Sequence, residues 1–408
     1  MKKLSGFLGR ELLIVILSIL LGMIFILCVF LFVPDKNVES HSKEAIEILQ
    51  NEGTYWYMLE GIQATCMDNF TDAVIVGTSA TKTESLIEDT LLGTRREGND
   101  TSSITTYGRY WHGYQVFMRP LISLMGLSSI RYLNSMVQLS LVIITICLFV
   151  KTKNGQLVLP FIIMWFSIIP IAILQSLQYS PVFYVTILTV IGLMKTYSQE
   201  SDWKLCLCFE ISGILTSYLD LLTYPMVSLG VPLILYFSLT RNYTNLKEKI
   251  KKLFVFSLSW GIGYVGMWSG KWMLATLFTK ENIIENAIET VRFRSSTSYK
   301  ENEFTLLDTI WQNLSCYHNG IFIFTFFIIV LLFFIISIKK RKNKINVKGM
   351  VPILIVALYP AIWYLFTMNH SNIHAKLFTY RELGITIYAV ISVMFLCHSE
   401  EKERERIL

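Results

Sequence analysis

The sequence predicts an all-α membrane protein, a polytopic transmembrane helical bundle with about ten spans. Hydrophobic residues make up 53% of the chain and charged residues 16%, whereas an ordinary soluble protein has about 25% charged residues. Apolar runs close to the roughly 20 residues that cross a bilayer recur along nearly the whole sequence. Lys and Arg are concentrated in alternate connections between these runs, as expected for cytoplasmic loops. Residues 1–408 are therefore assigned to one integral membrane domain.

The first apolar run, at 12–33, follows three basic residues. It is too long for the core of a signal peptide, so it is predicted to be a retained first helix. Further spans are predicted near 130–150, 157–174, 181–194, 205–219, 222–239, 253–270, 320–338, 350–367 and 383–398. Ten crossings place both termini on the same side of the cell membrane, and the charge distribution predicts that this side is the cytoplasm.

The positions of the basic residues support this topology. The connections predicted to lie inside carry Lys151, Lys153, Lys195, Lys204, Arg241, Lys247, Lys249, Lys251, Lys252 and the basic run at 339–348. Two long segments, 34–129 and 271–319, then lie outside, and the first is predicted to carry interfacial helices at 42–63 and 121–127. A backbone in hydrocarbon must be helical to satisfy its own polar groups, so chemistry is expected in these outer segments.

Several classes of function are disfavoured. The net charge of +6 comes from short loops rather than from an aromatic-rich basic face, so nucleic acid is not an expected partner. No span carries a filter sequence or a regular series of charges, which disfavours an ion channel. The seven Cys residues show no paired CxxC spacing of the kind that zinc and redox sites use.

The first outer segment carries the candidate acids. Asp68 and Asp72 are four residues apart, so they share one face if this stretch is helical. The alternative is that one of them caps a helix, because Asp is a favoured N-cap residue. Asp35 is the third candidate, since it follows the first predicted helix most closely.

Cationic residues later in this segment are candidate ligands for a sugar or a phosphate. Residues 107–115 surround Arg109 and His112 with tyrosine and tryptophan. An aromatic belt at the membrane interface explains the aromatic residues but not these two. Arg119 either snorkels to phospholipid headgroups or binds a lipid phosphate bidentately.

The later outer segments add four candidates. Lys271 is expected at the outer interface, where it either snorkels or meets an anionic headgroup. His370 and His374 have the i, i+4 spacing of a zinc site, but neither an HExxH glutamate nor a third ligand is identifiable. No cofactor is assigned, and a divalent metal is left open. Hydrogen bonding to a sugar or phosphate is the favoured role of the two histidines, and bidentate phosphate binding that of Arg381.

The segments 67–73, 110–114 and 369–381, together with the long acidic first loop, resemble the GT-C class of integral membrane glycosyltransferases. The resemblance implies a polyprenyl-phosphate-linked sugar donor and a glycan or lipid acceptor. It also implies inversion at the anomeric carbon, in which a carboxylate deprotonates the acceptor hydroxyl as the lipid phosphate leaves. Asp68 or Asp72 would be the base. The cation that offsets the phosphate charge would be Arg381, Lys271 or Arg119.

The chain departs from this class in one respect. Many members carry Asp-Glu or Asp-Asp within a few residues of the first helix, whereas this chain has only Asp35 there. The choice among the three acids therefore stays open. Two other functions share the same features, namely a transporter or flippase of a lipid-linked sugar and a surface polysaccharide polymerase. Transporters usually show repeat symmetry or interrupted helices in matched positions, and neither is found in the sequence.

Overall fold

The computed structural model describes residues 2–97, 100–197, 202–241, 245–300, 302–317 and 347–405. Most of these residues are helical, and the described strands form three two-stranded antiparallel hairpins. The predicted all-α class is therefore confirmed. The predicted span at 320–338 lies outside the described residues.

The N-terminal half of the chain places two β hairpins between helices. Its helices are α1 (Lys2–Phe32), α2 (Val38–Glu52), α3 (Asn69–Ala80), α4 (Leu86–Leu92), α5 (Gln115–Leu124), α6 (Leu127–Lys151), α7 (Val158–Ser167), α8 (Pro170–Gln175) and α9 (Ser180–Thr196). Its strands are β1 (Tyr55–Tyr57), β2 (Cys66–Asp68), β3 (Arg95–Glu97) and β4 (Asp100–Thr105). In the first hairpin Tyr55 pairs with Asp68, which brings the end of α2 next to the start of α3.

The C-terminal half contains the remaining described elements. They are α10 (Asp202–Leu219), α11 (Val227–Leu239), α12 (Leu246–Phe278), α13 (Ile283–Ser295), β5 (Ser298–Tyr299), β6 (Asn302–Glu303), α14 (Leu306–Ser315), α15 (Val347–Val356), α16 (Tyr359–Phe366), α17 (Met368–Ile373) and α18 (Leu383–Glu405). Helix α12 includes the predicted span at 253–270 and continues to Phe278. Lys271 therefore lies within a helix, and the outer segment predicted at 271–319 begins inside α12.

Four stretches of described helix are long and apolar enough to cross a membrane: Gly6–Phe32, Leu127–Lys151, Gly349–Phe366 and Thr379–Leu396. Three shorter apolar helices lie at Gly155–Ser167, Ser180–Thr196 and Val227–Leu239. The predicted spans at 205–219 and 253–270 are also helical, in α10 and α12. The chain thus has helices suited to a membrane protein, although fewer described helices reach full spanning length than the ten spans predicted.

The predicted span at 157–174 is divided between two helices. Helix α7 ends at Ser167, and Ile169 has a left-handed conformation with φ of 56° before Pro170 begins α8. Proline disfavours helical backbone at the preceding residue, so the local sequence accounts for the break. The carbonyl of Ile168 at this break accepts a hydrogen bond from the Nε of Arg381 at 3.0 Å.

The first outer segment has a small apolar core of its own. Helix α2 ends where Gly53 takes a φ of 93°. The interfacial helix predicted at 42–63 is therefore helical only as far as Glu52, and the strand β1 follows at Tyr55. The core contains buried side chains from α2, α3, α5 and the residues before α5: Val38, Ala45, Leu49, Ile75, Val76, Tyr110, Tyr114, Met118 and Ile122. Glu52 at the end of α2 accepts two hydrogen bonds from Arg131 of α6, at 2.5 and 3.0 Å. These bonds anchor the segment to the following long helix.

Glycines allow α10 and α12 to approach each other closely. A Cβ atom at Gly213 would collide with the carbonyl of Trp260, and one at Gly263 would collide with the carbonyl of Glu210. Both obstacles are backbone atoms, which cannot move aside as the end of a flexible side chain can. The two helices therefore pack backbone to backbone, as small residues permit in membrane bundles.

We expect Gly263→Val to lower the thermal stability of the purified protein in detergent. Overpacking of a tight contact costs about 1–3 kcal/mol, and here the obstacle is backbone. Gly261→Val is the matched control, because a Cβ atom at Gly261 in the same helix meets nothing within 4 Å. Thermal unfolding followed by circular dichroism measures both variants. Equal transition temperatures would contradict this account of the α10–α12 contact.

Candidate functional site

Asp68 is the N-cap of α3, which is the alternative role considered from the sequence. Its carboxylate accepts hydrogen bonds from the backbone nitrogen of Thr71 at 3.1 Å and from the Thr71 hydroxyl at 2.7 Å. Burial raises the pKa of Asp68, and the two bonds from Thr71 oppose this effect. These contacts stabilise the start of the helix. A role for Asp68 as a base stays a prediction.

Asp72 lies in the first turn of α3 and faces the connection between α8 and α9. Its fully buried carboxylate accepts hydrogen bonds from the Ser176 hydroxyl at 3.2 Å and from the backbone nitrogens of Leu177 and Gln178 at 3.1 and 2.9 Å. Burial raises the pKa of Asp72 to about 6, although the charge of Arg131 acts in the opposite direction. Both oxygens are therefore occupied in holding this connection.

Asp35 and Arg119 form an ion pair that joins the end of α1 to α5. The fully buried Arg119 also donates to the carbonyls of Ser79 and Ala80 at the end of α3, at 2.9 and 3.3 Å. Lys82 lies 3.6 Å from the second oxygen of Asp35. Two residues that the sequence assigned to base and phosphate ligand thus bind each other.

His112 is buried and hydrogen-bonded through both ring nitrogens. Its Nε2 lies 2.8 Å from the carbonyl of Tyr107, which can only accept, so Nε2 carries the proton. Its Nδ1 accepts from the hydroxyl of Tyr114 at 2.6 Å. Burial, together with the charge of Lys271, lowers the pKa of His112 to about 3. His112 is therefore a neutral residue that fixes the chain before α5.

Lys271 is fully buried in α12 and does not emerge at an interface as the sequence predicted. Its Nζ donates to the carbonyl of Leu91 and, at 3.5 Å, to that of Thr90. Both carbonyls lie at the end of α4, where a cation offsets the partial negative charge of the helix terminus. The ammonium also lies 5.6 Å from the ring centroid of Trp111.

Arg381 is fully buried among aromatic rings. Its guanidinium carbon lies 4.3, 4.7 and 5.9 Å from three ring centroids, those of Tyr179, Tyr380 and Tyr224. Nε and Nη1 donate to the carbonyls of Ile168 and Leu377, whereas Nη2 has no hydrogen-bond partner among the described residues. Contact between Arg381 and a phosphate would require these rings to move apart.

Arg109 lines a separate cavity of about 280 Å³. The cavity lies between the first outer segment and the start of α13, and its polar walls include Glu281 and Asn282. Arg109 donates to the side-chain oxygen of Asn286 at 2.8 Å. Arg109 and His112, which the sequence grouped together, therefore have different hydrogen-bond partners.

His370 and His374 lie together, with ring centroids 4.7 Å apart. The Nε2 of His370 donates to the carbonyl of Leu222 at 2.9 Å. Burial lowers the pKa of His370 well below its usual value and that of His374 to about 4, and the nearby charge of Arg294 adds to both effects. Both rings are therefore neutral at physiological pH. In each of them Nδ1 has no hydrogen-bond partner in the part of the chain that the structure describes.

Aromatic residues and one arginine extend this pair into a larger group, which we call the aromatic–histidine cluster. Its members are Tyr110, Tyr264, Trp268, Arg294, Trp363, His370 and His374. The ring centroids of Tyr264 lie 6.3 Å from Trp268 and 6.4 Å from Trp363, and those of Tyr110 and Trp268 are 5.1 Å apart. The Arg294 guanidinium lies 5.8 Å from the Tyr110 ring.

The cluster gathers five buried polar atoms that have no hydrogen bond within the described ranges. They are Tyr264 Oη, Trp268 Nε1, Trp363 Nε1, His370 Nδ1 and His374 Nδ1. The Trp268 indole lies close to the Tyr264 hydroxyl, but outside hydrogen-bond geometry. Each unpaired buried polar atom costs about 1–3 kcal/mol. A bound polar molecule or ordered water would supply the hydrogen bonds that these atoms lack.

Two acids border the cluster. Asp220 accepts from the backbone nitrogen and hydroxyl of Thr223 at 2.9 and 2.5 Å, and burial raises its pKa to about 7. Glu382 accepts from the backbone nitrogen of Met226 at 3.1 Å through Oε1, while Oε2 has no hydrogen-bond partner among the described residues. Both carboxyls interact electrostatically with Tyr264. An acid that titrates near neutrality is suited to proton transfer.

Among the members of this cluster, only the two histidines were candidate ligands from the sequence, although Tyr110 lies in a segment that carries the resemblance. Tyr264, Trp268 and Trp363 lie in or next to apolar runs, where aromatic residues ordinarily anchor helices at the interface. Arg294 has no motif around it. The one available signal is the four-residue spacing of Tyr264, Trp268 and Trp272, which places three large aromatic rings on one face of a helix.

Metal coordination and similarity to known proteins give no further assignment. Within the described ranges, no group of three or more His, Cys, Asp or Glu side chains is placed to hold a metal ion. Comparisons with known protein families, characterised proteins and solved structures give no match to this chain.

We expect His112→Gln to reduce the pH dependence of stability below about pH 6.5, the usual pKa of an unfolded histidine. The folded ring gains a proton only near pH 3. The neutral ring therefore contributes stability that is fully present above the unfolded pKa and is lost as the pH falls toward the folded pKa. This contribution amounts to at most about 1.4 kcal/mol per pH unit. Thermal unfolding in detergent at several pH values measures the slope, and identical slopes for the variant and the parent would contradict the assignment.

Proposed function

We propose that this protein is a membrane glycosyltransferase that uses a polyprenyl-phosphate-linked sugar at the extracytoplasmic face, in the assembly of a cell-surface glycan. In this proposal the chain crosses the cell membrane ten times, with both termini in the cytoplasm. The apolar helices support a membrane location. The Lys and Arg residues of the connections support the orientation.

The observation that carries the proposal is the set of unpaired polar atoms in the aromatic–histidine cluster. A sugar presents apolar C–H faces to aromatic rings and hydroxyl groups to polar atoms, and the cluster offers both kinds of contact. Arg294 supplies a cation that can bind the donor phosphate in a bidentate manner. His370 carries its proton on Nε2, so its Nδ1 can accept a hydrogen bond from a sugar hydroxyl. The Nδ1 of neutral His374 can bond to a hydroxyl in either tautomer, and to a phosphate oxygen when it carries the proton.

In this proposal the adjacent acids Asp220 and Glu382 supply the group that removes the proton of the acceptor hydroxyl. A carboxylate accepts the proton of the acceptor hydroxyl, the hydroxyl oxygen bonds to the anomeric carbon, and the lipid phosphate leaves with the electron pair of the broken bond. We assign the proton acceptor to the pair of Asp220 and Glu382, because Glu382 keeps an oxygen without a hydrogen bond among the described residues. The sequence-based candidates Asp68, Asp72 and Asp35 form the rival assignment.

A transporter of a lipid-linked sugar is a second candidate, favoured by one observation. Glu11 of α1 and Glu210 of α10 are both fully buried, and they interact electrostatically with each other. Arg10 pairs with Glu11 at 2.8 Å, whereas neither oxygen of Glu210 has a hydrogen bond of ordinary geometry within the described ranges. Buried acids in membrane helices often carry protons in transporters. A polysaccharide polymerase would differ from the first proposal mainly in its acceptor.

We expect Tyr264→Phe to lower sugar transfer about tenfold, since loss of one substrate hydrogen bond corresponds to about 1.4 kcal/mol. The assay follows transfer of labelled sugar from the polyprenyl-phosphate pool in membranes with matched expression. Tyr359→Phe is the matched control, because its hydroxyl contacts Ser257 at 2.8 Å and lies outside the cluster. Full transfer by Tyr264→Phe would remove this cluster as the sugar site.

We expect Glu382→Gln to lower transfer by roughly 10²-fold or more, the usual contribution of a general base. The amide keeps the shape of the side chain and its bond to Met226, but it cannot accept the proton. Asp68→Asn should retain transfer, because Asn caps a helix about as well as Asp. Asp72→Asn and Asp35→Asn test the other two sequence-based candidates for the base in the same assay.

Each result of this series assigns the base. Loss of transfer in Asp68→Asn with full transfer in Glu382→Gln would return the base to the first outer segment. Movement of the lipid-linked sugar between leaflets without any transfer in the parent would favour the transporter.

A further inference from the structure

Helix α13 presents three different faces. Ile283, Ala287, Thr290 and Arg294 recur at intervals of three or four residues, and they are the buried or half-buried positions of the helix. Because this spacing defines one helical face, α13 packs on the protein along this line. Ile283 belongs to a buried apolar group with Leu91, Leu92 and Ala275. The face ends at Arg294, which reaches the aromatic–histidine cluster.

The second face is apolar and yet uncovered by the protein. Ile284, Ile288 and Val291 are 37, 45 and 50% exposed. They lie next to the packed face when the helix is viewed along its axis, since each residue turns the helix by 100°. The third face, on the far side, carries the exposed charged residues Glu285, Glu289 and Arg292.

Exposed apolar residues also lie on both sides of α13 in the sequence. Met273, Leu277 and Phe278, at the end of α12, are large exposed apolar residues directly before α13. Helix α14 adds exposed Leu307 and Leu314 beyond it. A helix with one face on the protein, one apolar face and one charged face fits the boundary between a bilayer and water.

We propose that α13 lies in the headgroup region of the outer leaflet, with Ile284, Ile288 and Val291 in contact with acyl chains. The occupant of the apolar face is therefore the bilayer. An interfacial helix buries its apolar side chains about 5–10 Å into the headgroup–acyl boundary. Arg294, at the C-terminal end of the same helix, is then held at the level of lipid phosphates and next to the cluster.

This placement defines a lateral route for a lipid ligand. A phosphate that enters from the outer leaflet beside α13 meets Arg294 first, and hydroxyl groups attached to it can then donate to the Nδ1 of His370. The assignment of that phosphate to the sugar donor rests on the proposed function. The interfacial position of α13 does not depend on the proposed function.

The test places a genetically encoded fluorescent amino acid at position 288, 291 or 289 of the full chain in phospholipid vesicles. Aqueous iodide and lipids that carry a spin label near the top of the acyl chain are the two quenchers. We expect lipid quenching at 288 and 291 to be severalfold stronger than at 289, and iodide quenching to show the opposite order. Position 289 is the matched control because it lies one residue along the same helix, on the charged face. Equal iodide quenching at 288 and 289 would overturn the proposal.

A second measurement identifies the source of the phosphate. Mass spectrometry of lipids retained by the purified protein compares Arg294→Ala with Arg292→Ala, an exposed arginine of the same helix. Loss of polyprenyl phosphate in Arg294→Ala alone supports the donor route. Loss of ordinary anionic phospholipid instead overturns the donor assignment while leaving the depth result intact. Absence of transfer in parent membranes would refute the proposed function without changing the depth result.

Discussion

Helix ends inside the protein need hydrogen-bond partners, and buried charged side chains supply many of them. The first N–H groups and the last carbonyls of any helix lack partners within that helix. Lys271 donates to the end of α4, Arg119 to the end of α3 and Arg381 to the end of α7. At the start of α11, the carboxylate of Glu382 accepts a hydrogen bond from the backbone nitrogen of Met226. Short helices can therefore end within the bundle instead of at its surface.

This constraint explains which parts of the fold could be predicted from the sequence. Apolar runs indicated helix correctly over most of each predicted span that falls on described residues, because length and hydrophobicity are local properties. The main exceptions are the break at Ile169 and the start of α11, which begins at Val227 rather than at 222. The expected exposure of the Lys271 side chain was wrong, although a charge inside an apolar run ordinarily snorkels outward. Its actual partner is the end of a helix about 180 positions away in sequence. No spacing rule within one run can anticipate such a contact.

The candidate site shows the same limit more sharply. His370 and His374 stand out in sequence because they are polar and regularly spaced, and the structure does bring them together. Asp72 and His112 stand out equally, but their hydrogen bonds are used within the fold. No sequence pattern marks Tyr264 as a candidate ligand. Its buried hydroxyl nevertheless has no hydrogen bond within the described ranges. Residue type therefore shows which side chains can bind a ligand. Only the three-dimensional contacts show whether their polar atoms are already hydrogen-bonded within the fold.

Buried polar atoms without a hydrogen bond indicate where a ligand can bind. A low-dielectric interior makes an unpaired polar atom expensive, so stability alone would replace Tyr264 or Trp363 with an apolar residue of similar shape. The same interior strengthens any hydrogen bond that a ligand later makes there. Arg294 brings a positive charge to this group from a helix with an uncovered apolar face. A ligand that combines hydroxyl groups, a phosphate and a lipid chain would satisfy all three features at once, whereas water alone would satisfy only the first.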